Sequence, residues 1–82
     1  MDQPPGRDLE EVMDFDPEEG IANLEHHLDR LKAEADRAGF RFDRHAARNE
    51  LQAATFGKRS RATARLLLSR TGAIAIELKT AT

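Results

Sequence analysis

The apolar residues of this chain change period part-way along it. Between Ile21 and Ala38 they recur at spacings of three and four, as Ile21, Leu24, Leu28, Leu31, Ala35 and Ala38. Between Ala64 and Leu78 they recur at every second residue, as Ala64, Leu66 and Leu68 and then Ile74, Ile76 and Leu78. The first spacing lays a stripe along a helix, and the second lays a row along a strand. A chain holding both reads as α+β, with helices covering the apolar row of a sheet.

The N-terminal period predicts a helix over about 17–38. Asp16 is a suitable N-cap, Pro17 falls at the first helical position, and Glu19 completes a capping box. Gly39 follows Arg37 as the stop. A second helix is expected over about 44–56, capped by Asp43 and stopped by Gly57, with Phe40 and Phe42 stapling its start. Arg7–Phe15 reads two ways: Leu9, Val12 and Met13 fit a helical turn, while Met13 and Phe15 fit a short strand. Residues 1–6, with two prolines and a glycine, are expected to be a disordered lead-in to one small domain over 7–82.

The C-terminal third is expected to be a β-hairpin, with strands at about 62–69 and 73–80. Residues facing each other in an antiparallel pair share a side of the sheet. Matching the apolar sets pairs 68 with 74, 66 with 76 and 64 with 78, and leaves Arg70-Thr71-Gly72 as the loop. A three-residue hairpin loop wants glycine in its last, left-handed position, and Gly72 is there. The same register puts Arg65 opposite Glu77 and Thr63 opposite Lys79 on the other face. The rival is an all-α three-helix bundle with a short C-terminal strand, its third helix capped by Ser60.

Of the 32 apolar residues, 13 are alanine and only 19 are larger. At ~1.5–3 kcal/mol per buried large side chain this is a thin core, of the kind that leans on a partner or a second copy. The stripe residues Ile21, Leu24, Leu28 and Leu31 are therefore candidates for self-association as a homodimer. The plainer reading packs that helix on its own domain.

Charge is segregated behind a net value of −2. Residues 1–40 carry 12 acids and 4 bases, while residues 41–70 carry 2 acids and 8 bases. Such asymmetry suits a polyanionic partner, or two halves that neutralise each other on folding. Arg44, Arg48, Lys58, Arg59, Arg61 and Arg65 are the candidate partner- or phosphate-binding residues. Glu50 joins them as a docking acid, because Ala46, Ala47, Ala53 and Ala54 surround it on a helix face.

Chemistry is thinly represented. The chain has no cysteine, no nucleophile motif and no glycine-rich phosphate loop. His26 and Asp29 could share an ion, with His45 as a third ligand, but such helical pairs are usually idle; no metal and no cofactor are expected. The longest apolar runs are Leu66–Leu68 and Ala73–Ile76, so no membrane span is expected, and the first six residues lack the features of a secretory leader. By elimination, the expected function is that of a non-catalytic regulatory protein of inhibitor, antitoxin or adaptor type. It would be cytoplasmic, would dock on a protein partner and would not be an enzyme. The alternative is a nucleic-acid-binding regulator using the basic segment 41–70.

Overall fold

The computed structural model describes residues 7–80, so the expected lead-in over 1–6 lies outside the described residues. The order is β1 (Leu9–Asp16), β2 (Gly20–Ile21), α1 (Leu24–Ala38), α2 (Arg44–Thr55), β3 (Ala62–Leu68) and β4 (Ile74–Thr80). The strands form one antiparallel sheet in the order β2-β1-β3-β4. Both helices lie on one face of it, α1 over β1 and α2 over β4. The fold is α+β, and the three-helix rival is excluded because residues 62–68 are extended.

The β3–β4 register is the one the alternation requires. Leu68 pairs with Ile74, Leu66 with Ile76, Ala64 with Leu78, Arg65 with Glu77 and Thr63 with Lys79. Ser69 N–H donates to Ala73 O at 2.9 Å, and Gly72 N–H donates to Ser69 O at 3.0 Å, which closes the loop. Gly72 has φ +100°, a conformation open to glycine and strained for other residues. The ambiguous segment becomes β1 and pairs along the free side of β3, from Leu9 opposite Leu68 to Phe15 opposite Ala62.

The start of the first helix differs from expectation. Asp16 and Pro17 begin a tight turn between β1 and β2, and α1 begins only at Leu24. Asp16 Oδ1 accepts from Glu18 N–H at 2.7 Å and from Glu19 N–H at 3.4 Å. Those are the hydrogen bonds an N-cap would make, used here to close a turn. Gly20 then takes φ +87° and Phe15 pairs with Ile21. Helix α1 is entered through Asn23, left-handed at φ 56° and without a side-chain cap bond. It ends at Gly39, as expected. Helix α2 is capped by Asp43, whose carboxylate accepts from His45 and Ala46 N–H.

The core lies between the sheet and the helices. Met13, Ala64, Leu66 and Leu68 from the strands meet Leu28, Leu31 and Ala35 of α1 and Ala47 and Leu51 of α2. Leu28 and Leu31 are 1% and 0% exposed, and Ile21 and Leu24 pack against the same cluster. The stripe read as a self-association seam therefore faces the chain's own sheet. The thin inventory suffices because one sheet face and two helix stripes need only one layer of side chains.

Candidate functional site

The basic segment does not converge on one site. Arg44 and Arg48, on the first two turns of α2, both reach across to α1. Arg44 Nη1 bonds Asp29 Oδ1 and Arg44 Nη2 bonds Glu25 Oε1, each at 2.6 Å. Arg48 Nη2 holds both Glu25 oxygens at 2.7 Å. The hydrogen bonds from Arg48 and then Arg44 keep the Glu25 carboxyl below its ordinary range. Arg61 Nη2 lies 3.3 Å from Asp16 Oδ2. The Asp16 carboxyl is itself held low, chiefly by the Glu18 N–H. Glu50 is exposed with no side-chain partner among the described residues, and Lys58 and Arg59 are exposed likewise. The basic residues that do pair reach acids of the N-terminal half, so the segregated charges of the sequence meet within the fold. Arg44 occupies Asp29, which takes that residue from any ion shared with His26, and the described residues hold no metal-binding group of three.

Arg65 is placed differently. It stands on the sheet face away from the helices, on the central strand β3. Its Nε bonds Glu10 on β1, and its Nη1 bonds Glu77 Oε1 on β4 at 3.0 Å. These two carboxylates, Glu10 first, raise its pKa above the ordinary arginine value. Beside it Val12 is 51% exposed, Leu67 is half-buried and Ala75 is exposed. The open face therefore carries Val12, Leu67 and Ala75 among Glu10, Asp14, Thr63, Glu77 and Lys79, with a clasped guanidinium at its centre.

The inner face carries the feature that sequence reasoning missed. Glu11 sits in the apolar row of β1 between Leu9 and Met13 and is only 6% exposed. His27 of α1 meets it, with Nδ1 at 2.7 Å from Oε1, and Arg30 Nε lies 3.6 Å from Oε2. A carboxylate in a core row loses hydration and persists only with such partners. The available signal was an acid at an inward position of an alternating segment, visible only once Arg7–Phe15 is read as a strand.

A cleft of about 640 Å³ opens at the β1–β2 end, lined by Asp14, Phe15, Asp16, Glu19, Ile21 and Arg61 among others. Its one arginine is the partner of Asp16.

No family model matches the chain, and no curated protein does. Among solved structures, it is similar to a candidate amino-acid aminotransferase from Mesorhizobium loti, a crystal structure at 2.30 Å resolution. The match has a TM-score of 0.84 at 28% identity and covers 92% of this chain but 36% of that one. That likeness corrects the expected function. The expectation of a non-catalytic inhibitor, antitoxin or adaptor rests largely on missing motifs, and its nucleic-acid-binding alternative on the basic segment 41–70. The fold is instead enzyme-related. Among the described residues, no helix is long and apolar enough to cross a membrane.

Proposed function

We propose that this chain is a structural module of an amino-group-transferring enzyme, forming one wall of the catalytic body. The observation that carries the reading is the likeness over 92% of the chain to about a third of a candidate aminotransferase. Aminotransferase chemistry rests on pyridoxal phosphate carried by a lysine, which makes the cofactor an electron sink. The residues of this chain do not fit the lysine role. Lys32, Lys58 and Lys79 are all solvent-exposed, and Lys32 is paired with Asp36 at 3.0 Å, whereas a Schiff-base lysine is typically desolvated in an enclosed pocket. The 82 residues alone are therefore not an enzyme in this reading, and the nucleophile comes from other protein.

The face that meets this other protein is the open side of the sheet, where Val12, Leu67 and Ala75 surround Arg65. A sheet face that exposes apolar side chains and has no covering layer among the described residues is what a docking partner would complete. The partner is then the remainder of the enzyme, in the same or another chain, and a second copy of the assembly is compatible with it. A cytoplasmic setting belongs to the same proposal; the chain has no cysteine and needs no oxidising compartment to fold.

The test is capture of the chain from its native host under non-denaturing conditions. The captured material should move an amino group from an amino acid to a 2-oxo acid, while the purified chain should not. Borohydride treatment of the purified chain with pyridoxal phosphate should give no stoichiometric adduct at Lys32, Lys58 or Lys79. Captured material without transfer activity, or a single fully modified lysine, would overturn the reading.

A further inference from the structure

Once the ion pairs are assigned, Arg41, Lys58, Arg59 and Arg70 of the basic segment have no carboxylate partner among the described residues, and two of them, Lys58 and Arg59, are adjacent. The side chains of Lys58 and Arg59 make no hydrogen bond or ion pair among the described residues. Arg44, Arg48, Arg61 and Arg65 each make at least one. The backbone sets the position of Lys58 and Arg59. Gly57, at φ +75°, reverses the chain at the end of α2, and Lys58 N–H donates to Thr55 O at 3.1 Å. Residues 58–60 are thereby laid against the start of β3 and the end of β4.

A hollow of about 170 Å³ lies there, lined by Lys58, Arg59, Ser60, Ala62, Leu78 and Thr80. Its polar lining side chains are an ammonium, a guanidinium and two hydroxyls, with no carboxylate among them. Ala62 and Leu78 supply an apolar floor. Pockets for whole small molecules run from ~300 Å³ upward, so this hollow suits one group of a ligand. A planar carboxylate is satisfied by one guanidinium fork. A tetrahedral phosphoryl group has three terminal oxygens in different directions, and it uses an ammonium, a guanidinium and hydroxyls together.

We propose that the hollow under Lys58, Arg59 and Ser60 is a binding site for the phosphoryl group of a small molecule. The site is on the edge of the sheet, away from the Arg65 face, and it does not depend on the aminotransferase reading. Lys58 and Arg59 neutralise the dianion, the Ser60 and Thr80 hydroxyls donate to its oxygens, and the apolar floor excludes water from one side.

The test is NMR titration of the chain with inorganic phosphate, glycerol 3-phosphate, acetate and chloride at matched ionic strength. Both phosphates should give saturable amide shifts confined to residues 57–62 and 78–80, and acetate and chloride should not. Similar affinity for the two phosphates would support a site for the phosphoryl group alone. Tighter binding of the ester would support it and place the ligand's organic part on the neighbouring surface. The K58Q/R59Q double variant should weaken binding about tenfold or more, as expected when charge-assisted donors are lost. Its hairpin shifts should stay in place, which separates lost binding from lost folding. Equal shifts with chloride, or unchanged affinity in the double variant, would reduce the hollow to a solvated basic surface. Neither outcome bears on transfer activity in the captured material, so the two proposals fail separately.

Discussion

Glu11 shows how one residue can be decisive and still hard to read. On β1 it occupies a place where Leu9, Met13 and Phe15 set an apolar row, and its carboxylate is held by His27 at 2.7 Å. Removing His27 while keeping Glu11 strands a desolvated carboxylate beside a more distant Arg30. His27→Ala should therefore cost ~1–3 kcal/mol in urea unfolding. Replacing both Glu11 and His27 by leucine removes the polar pair as a unit and should cost far less than the sum of the single changes. An additive pair would mean that the two side chains do not interact in solution. Acid tests a second set of residues. A carboxyl whose folded pKa lies below its unfolded value adds stability that is complete above the unfolded value, ~4. That stability is lost as pH falls through the folded value. Glu25, held low by Arg48 and Arg44, is such a group, as is Asp16 under the Glu18 N–H. Glu25→Gln should therefore be less stable than the parent at neutral pH and indistinguishable from it well below the carboxylate range. Denaturant unfolding at two pH values reads this directly.

At the scale of elements, the hairpin and the helix start teach opposite lessons about legibility. For β3–β4, period, turn chemistry and cross-strand charge all pointed to one register, and the pairing from Leu68–Ile74 to Thr63–Lys79 follows it. For residues 16–23, the local chemistry is degenerate. An aspartate accepting from the N–H groups two and three residues on closes a turn as well as it caps a helix. What decides between them is tertiary: β1 pairs with β3, and Phe15 is then placed to pair with Ile21 across the turn. Gly20, an odd choice for a first helical turn, was the trace of this in the sequence. Two substitutions test the observed backbone. Gly72→Val should destabilise by ~1 kcal/mol or more, because φ is +100° and a Cβ would stand 3.3 Å from Arg41 Cβ. Asn23→Gly should be neutral or stabilising, because Asn23 is left-handed at φ 56° and makes no cap bond that glycine would lose. A clear loss of melting temperature in Asn23→Gly would restore a helix running through residue 23.

At the scale of the whole molecule, the two faces of the sheet have different tasks, and adjacent residues of β1 can separate them. Met13 points inward and is 1% exposed, while Val12 points to the open face and is 51% exposed. The division was legible in part, since alternation assigns the faces. What the open face meets was not, because no motif in the chain marks it and the fold resembles about a third of the solved chain it matches. Met13→Thr should cost ~2–5 kcal/mol, as a truncated core side chain with an added buried hydroxyl. Val12→Thr keeps shape and β-branching on an exposed position and should change stability by less than ~0.5 kcal/mol. If the open face is the wall that joins this module to the rest of an aminotransferase-like enzyme, Val12→Thr should nonetheless weaken that assembly. So should Val12→Lys, more strongly, by placing a second cation beside Arg65. Both can be read as transfer activity recovered with the captured chain, at equal amounts of folded protein. Full recovery with Val12→Lys would mean that the open face touches nothing, and the assembly surface would have to be sought on the helical side.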